Sequence, residues 1–596
     1  MIIFSRIRRL ACFVLGTCVL LRLSTGSATA AEASAGTAPN AATPAGPAAS
    51  AAPAVTGHVL RKIWISESVE TAEKFSSPAP EFVVLAPSLP PLDAAELNRR
   101  LAVGDGRIID ERLLAAIAQV IELFFRQFDY PAAQAIIPNQ NISTGVLRVI
   151  VLTGTKSEPV TAATRWKIRN IKMDGARWFS ESLLREKLRI EQGGTVQFGE
   201  LDRAISWTNN NPYRRVQVKL EPVPNTGEAD LIIAVKEALP LRLITTYDNT
   251  GNVAIGRSRY AASASYANLW GLDHQVSYQF LTTDQPKFFK AHGVDYRIPL
   301  RWRHYLQFSA SYVRARPEFF EGLFVQDGET VTSDLRYSIP VRSGDNPIEV
   351  YAAINFKESN NNLAYGGTSV QATKTDIFQL TLGGSLVRRD KRGAWAFGAT
   401  LTGSPGGINS RNSDRAFDAN LFDRRLDSAR FGAKARYVYG GVSFQRLLNL
   451  APGWDFFARG AGQVSQANLL PSEQLSIGGA SSVRGFNENI FSGDHGYVFS
   501  NELLTPAVKV QLPRLSKSRG PLETRFLGFF DAGNTAVRHK FAIDPKRVAL
   551  AGAGLGLRMT LAANFSLTAD YGWQLSRLPY EVEDRSRGHI RAMLAF

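Results

Sequence analysis

Cysteine is almost absent from this chain. Of 596 residues only Cys12 and Cys18 carry a thiol, and both lie in the first twenty positions. The rest of the chain can form neither a disulfide nor a thiolate nucleophile. Seven histidines are scattered without ligand spacing, so no metal site and no cofactor are expected. No G-x-x-x-x-G-K-[ST] phosphate loop and no Ser/His/Asp arrangement is present, and no catalytic residue is assigned. Gly552-x-Gly554-x-Gly556 looks like a fragment of a phosphate loop. It alternates with Ala553, Leu555 and Leu557 as a strand does, however, and no helix pattern follows, so its glycines read as small residues facing a lumen. Long Lys/Arg runs are also missing. The net charge is +16, but the basic residues are dispersed, which argues against a nucleic-acid partner. No stretch approaches the roughly twenty apolar residues of a membrane-spanning helix. That leaves barrel strands open, because their alternating signal is much weaker.

What is present begins with a leader. Arg6, Arg8 and Arg9 precede an apolar run from Leu10 to Leu21, and Ala28-Thr29-Ala30 offers a small-x-small cleavage site. Residues 1–30 are therefore expected to be a secretory signal peptide, too short in its apolar run to span a bilayer. Residues 31–56 are rich in Ala, Pro, Gly and Thr and read as a flexible linker. Residues 57–80 complete a linker and unassigned segment, in which Leu60 to Ile65 is a possible short strand.

Two α+β modules follow. In 81–154, Phe82 to Leu85 is strand-like, Asp93 to Leu101 is a helix, and Asp110 to Phe128 is a longer one. Leu113, Leu114, Ile117, Val120, Ile121, Phe124 and Phe125 give that helix its period. Ala133 to Ile137 and Val146 to Leu152 are strands. Residues 165–238 repeat the order: a strand from Trp166 to Met173, a helix from Ser180 to Leu188 with the serine as cap, a helix from Phe198 to Asn209, and a hairpin of Val216 to Leu220 with Leu231 to Val235.

From 239 to 596 the character changes to strict alternation. Phe565, Leu567, Ala569, Tyr571, Trp573 and Leu575 oppose Ser566, Thr568, Asp570, Gly572, Gln574 and Ser576. The polar face is mostly Ser, Thr, Gln and Gly, without the Lys and Glu of a water-facing sandwich, and aromatics sit near the segment ends. This is the pattern of a transmembrane β-barrel, apolar outward and polar inward. About 358 residues accommodate about sixteen antiparallel strands at roughly ten residues per tilted strand. Ile590, Ala592, Leu594 and Phe596 alternate with His589, Arg591 and Met593 to the chain's last residue.

Two short motifs stand out in the barrel. Val483-Arg484-Gly485-Phe486 lies in a Gly/Ser/Asn-rich stretch of about thirty residues between Val464 and Tyr497, where no regular element should persist. Phe529-x-Asp531-x-Gly533 lies in an apolar strand, and parity places Leu527, Phe529, Asp531 and Gly533 on one face. A charge facing lipid costs roughly 2–4 kcal/mol at midplane, so Asp531 should face the lumen. The loop could then fold back inside and set a bidentate Arg484–Asp531 pair, with Gly485 and Gly533 allowing close backbone approach.

The two modules resemble POTRA domains. With the leader, the barrel and the two motifs, the chain resembles the two-partner secretion transporters, the ShlB/FhaC/HecB haemolysin secretion/activation family of the outer-membrane assembly superfamily. Asn249-Thr250-Gly251 after Tyr247-Asp248 also fits. The resemblance implies an outer-membrane protein of Gram-negative cells with its modules in the periplasm. It implies translocation of a large unfolded exoprotein, an adhesin or haemolysin with an N-terminal secretion domain. The expected partners are that exoprotein, outer-membrane lipid, and the barrel assembly machinery through the C-terminal strand ending at Phe596. It also implies a plug helix before the linker; residues 31–56 lack an apolar stripe for one, and Ser66 to Phe75 is the other place for it. An insertase of the same superfamily is the alternative reading. A passive porin would need neither the modules nor the loop motif.

Overall fold

The structure is a computed structural model. It describes residues 59–596 except 68–80, 87–88, 90–93, 108, 128–132, 139, 141, 143, 153–164, 224–227, 253, 320–323, 344–345, 366–367, 419–428, 513–519, 540–544 and 579–584. The expected leader and the linker to residue 56 lie outside the described residues, as do residues 68–75 of the segment Ser66 to Phe75 considered for a plug helix. The chain divides into two units, one ending at Ala238 and one spanning Leu239–Phe596.

The first module starts earlier than residue 81. Lys62–Ser66 is a strand in the middle of its sheet, parallel to Val83–Leu85 on one side and to Val146–Leu152 on the other. Ile63 and Ile65 are fully buried there, with Leu60 beside them. The possible strand of Leu60 to Ile65 is thus part of the module, although five residues carry too little period to assign it from the sequence. Gln134–Ile136 completes the sheet. Helices Ala94–Leu101 and Glu111–Gln127 cover it. The second helix begins where Asp110 caps it, its Oδ1 accepting from the Leu113 N–H at 2.7 Å. It buries Ile117, Ile121, Phe124 and Phe125, four of the apolar positions that gave it its helical period.

The second module is a four-stranded sheet in the order Thr195–Gln197, Arg165–Asp174, Glu228–Glu237, Arg214–Pro222. Helices Glu181–Leu188 and Phe198–Thr208 belong to it. Ser180 caps the first, accepting from the Leu183 N–H at 3.3 Å. Thr195–Gln197, between the helices, was not foreseen; at three residues it has no period to detect.

The unit from Leu239 onward is a closed barrel of sixteen long antiparallel strands, from Leu241–Asp248 to Ser586–Ala595. The last strand pairs with the first from Ala595↔Ile244 to Arg591↔Asp248, which removes every open edge. Asn249, just past the first strand, extends that seam. Its Nδ2 donates to the Gly588 carbonyl at 2.9 Å and its Oδ1 accepts from the Ile590 N–H at 2.9 Å. The barrel is inside-out relative to a soluble core, as the alternation predicts. Large apolar side chains such as Leu382, Val442 and Leu555 are exposed, while Ser309, Ser311, Thr332 and Gln379 are buried inward. Among the described residues no helix is long and apolar enough to cross a membrane. Strands Phe324–Arg342, Ile348–Tyr365 and Thr368–Asp390 have 19, 18 and 23 residues. That is about twice what a tilted span needs, so this part of the wall continues beyond the bilayer.

Candidate functional site

The link between strands Trp454–Ser465 and His495–Leu504 does not stay at the barrel mouth. Its tip makes its contacts on the inner wall formed by the last five strands: His495–Leu504, Leu522–Ala536, Arg547–Leu561, Phe565–Gln574 and Ser586–Ala595. Arg484 at that tip is 1% exposed, the largest side chain in the molecule to be so completely buried among those described.

Each of its five guanidinium N–H groups has a partner. Nε donates to Asp531 Oδ2 at 2.7 Å and Nη2 to Asp531 Oδ1 at 2.9 Å, the expected fork on one carboxylate. Nη2 also reaches Ser500 Oγ at 3.2 Å, and Nη1 divides between Glu502 Oε1 at 2.6 Å and Asp570 Oδ2 at 3.2 Å. The backbone N–H of Arg484 adds a bond to Asp531 Oδ2 at 3.1 Å. Asp531 is fully buried, and the Ser500 hydroxyl also donates to it, at 2.6 Å. The Phe529 ring closes one face of the guanidinium, 3.6 Å from its central carbon.

One arginine against three carboxylates would leave buried negative charge. Arg558 compensates, reaching Asp570 Oδ1 at 2.6 Å and Glu502 Oε1 at 3.1 Å. Arg459, on the strand beside Glu502, lies within electrostatic range of Glu502 and Asp531. Three cations therefore face three anions. Buried ions are tolerated when they are paired and saturated in this way.

The neighbours of Arg484 fit just as tightly. Val483 and Phe486 are fully buried, in an apolar cluster with Ile477, Val548 and Leu550. Gly485 has φ +95°, a conformation that disfavours any side chain. Its carbonyl accepts from Gln574 Nε2 at 2.9 Å. The wall opposite is cleared by glycines. A Cβ on Gly552 would come within 2.1 Å of the Arg484 carbonyl, and one on Gly572 within 2.6 Å of the Gly485 nitrogen. A Cβ on Gly533 would press on Val483 Cγ2 at 3.0 Å, and one on Gly554 on the Phe529 ring at 2.5 Å. All the residues singled out from the sequence, Val483 to Phe486 with Phe529, Asp531 and Gly533, thus meet at one place.

Glu502, Ser500, Asp570 and Arg558 were not foreseen as partners. Parity marks Asp570 as inward-facing. Which strands the loop tip would reach depends on tertiary contacts that no local pattern carries.

The same loop has a second anchor on a different part of the wall. Glu473, 7% exposed, pairs with Lys357 and accepts from Gln379 Nε2 at 2.7 Å and Tyr439 Oη at 3.0 Å. At the loop's end the fully buried Asp494 accepts from Arg430 Nη1 at 2.7 Å, Leu469 N at 2.8 Å and Arg538 N at 2.9 Å. Those donors come from three different loops at the end of the barrel away from its chain termini.

A barrel with an inward loop latched by an arginine, in a chain carrying two POTRA-like modules, is the setting in which comparison with known proteins becomes informative. The model of the family "Haemolysin secretion/activation protein ShlB/FhaC/HecB" matches residues 227–559, more than half of the chain. The chain belongs to this family. It is thus an outer-membrane transporter of the two-partner secretion type, with its modules in the periplasm. The outer membrane transporter CdiB of Dickeya dadantii (strain 3937) is 24% identical over 463 residues, covering 76% of this chain and 75% of that protein. Among solved structures, CdiB from Escherichia coli aligns over 96% of this chain and 98% of its own, with TM-score 0.62 and 18% identity. BamA from Haemophilus ducreyi, lacking POTRA domains 1–3, aligns over 85% of this chain and 98% of its own, with TM-score 0.52 and 16% identity. These structural likenesses speak to fold.

Proposed function

We propose that this transporter carries one large, unfolded exoprotein through its barrel to the cell surface, with the Arg484 latch holding the inward loop in its working position. The observation that carries this reading is the saturation of Arg484 on the inner wall. A solvated loop arginine would gain little from a fixed partner, whereas this one is buried with every donor engaged. The substrate class is an adhesin or haemolysin with an N-terminal secretion domain. Its chain would first be held by the modules through strand addition to an exposed sheet edge. The sequence offers no nucleotide site, so the driving force is assigned to folding outside the cell, which makes return unfavourable. Outer-wall residues such as Leu382 and Leu555 would meet lipid. The assembly machinery would recognise the C-terminal strand ending at Phe596.

The resemblance in fold to BamA keeps an insertase as the second reading. The two separate on deletion of the gene. Loss of one exoprotein from the surface, with other outer-membrane barrels at normal abundance, is the expected result. A general fall in outer-membrane barrels with undiminished exoprotein would replace this reading by the second.

A further inference from the structure

The modules expose four sheet edges, and they are not equivalent. In the first module both edge strands are three residues long. Each has an N–H taken by a helix side chain: Val83 N donates to Asn98 Oδ1 at 3.3 Å and Ala135 N to Glu122 Oε1 at 3.2 Å. In the second module Thr195–Gln197 is equally short. Arg214–Pro222 is nine residues long and borders the sheet on its other side. It is the edge with room for a strand.

Half of that edge is already filled. Asn209, just after helix Phe198–Thr208, turns its amide onto the strand. Its Nδ2 donates to the Val216 carbonyl at 3.0 Å and its Oδ1 accepts from the Val216 N–H at 2.7 Å. This is the pair of bonds that a residue of an added strand would make. Arg214 N is taken by the Asn211 carbonyl at 3.4 Å. Strand period two puts the backbone groups of Val218 and Leu220 on the same outward side as those of Val216. Among the described residues no hydrogen bond is made there. The strand ends at Pro222, which has no N–H to offer.

We infer that Asn209 is a register stop: it plays the first residue of the missing strand and confines an incoming segment to Val218–Glu221. This deepens the capture step of the proposed function and rests on it. The window also specifies the guest. On one face it offers Val218 and Leu220, half-buried against the module's core. On the other it offers Lys219 and Glu221, paired with each other at 2.8 Å, while Arg215 and Gln217 of that face lie before the stop. An extended segment with apolar residues at alternate positions and polar residues between them matches both faces.

Register can be read by disulfide capture. The chain's two cysteines, Cys12 and Cys18, lie in the expected leader, so single-cysteine variants of the exported full-length protein are unambiguous. The probe is a synthetic peptide of alternating valine and glutamate with one central cysteine in place of a glutamate. With Arg215→Cys, Gln217→Cys, Lys219→Cys and Glu221→Cys, adducts should concentrate at positions 219 and 221. Adding Asn209→Ala should raise the adduct at 215 about fivefold, the worth of roughly one ladder hydrogen bond. Asn209→Asp, which keeps the acceptor for the Val216 N–H, should fall between and guards against a folding defect. An adduct pattern unchanged by Asn209→Ala would overturn the register stop and leave capture standing. No adduct at any position would overturn capture at this edge and the stop with it.

Discussion

Arg484 and Arg169 make the same bond in two places. Each forks onto one aspartate, Arg484 onto Asp531 in the barrel and Arg169 onto Asp230 in the second module. The side chains of the barrel pair are 1% and 0% exposed, those of the module pair 46% and 26%. In water such a pair contributes little, because solvent competes for both partners and screens their attraction. Inside the barrel neither partner can return to water without pulling the loop out. The same chemistry is therefore a surface detail in one unit and a fastening in the other.

The sharpest way to break the comparison is to remove one charge from the buried pair. Arg484→Ala strands Asp531, Glu502 and Asp570 with too little positive charge. Leaving a buried partner uncompensated costs about 3–5 kcal/mol, enough to release the loop. Export of the exoprotein should fall below a few per cent while barrel abundance in the outer membrane holds. Arg484→Lys keeps the charge but offers three donors where five are used. It should export far less than the parent, and wild-type export from it would mean that charge alone suffices.

The second anchor should give an intermediate effect. Lys357→Met with Glu473→Gln removes both charges of that pair together, so no buried ion is orphaned. The Arg484 end stays fastened. Protease accessibility of residues 466–474 should rise, with export reduced severalfold but not abolished. Unchanged accessibility would show that the anchor at Arg484 holds the whole loop by itself.

The smallest effect is expected in the module. The hydrogen bond from Arg169 is the first cause holding the Asp230 carboxyl below its usual range. A carboxylate depressed in this way stabilises the fold at neutral pH and loses that contribution as pH falls through its lowered pKa. Arg169→Ala should thus leave export at pH 7 almost unchanged. Hydrogen exchange over Arg165–Asp174 should differ slightly between variant and parent at pH 7, and not at all at a pH below Asp230's lowered pKa. A large difference at pH 7 would end the contrast between the two pairs.

The comparison also explains what was legible in the sequence. Alternation along Leu522–Ala536 placed Asp531 inward, and the structure has Phe526 and Phe530 exposed on the other face, as that parity demands. Arg484 was conspicuous because a lone guanidinium among glycines and serines has no local use. Glu502, Asp570 and Arg558 gave no such sign, since inward-facing acids and arginines are ordinary in a wet lumen. Their role depends on where a loop of nearly thirty residues lands, which is settled by packing. The early start of the first module was only partly legible for a different reason: a strand at Leu60 to Ile65 is possible from the sequence, but Lys62–Ser66 is too short for its pattern to tie it to the sheet that follows.

The most direct measurement of the latch is export of the partner exoprotein in cells carrying Arg484→Ala or Asp531→Asn, with the barrel quantified in the outer membrane of the same cells. The expected result is a barrel at normal abundance and an exoprotein missing from the surface in both variants. Normal surface exoprotein in both would contradict the latch, however completely Arg484 is buried.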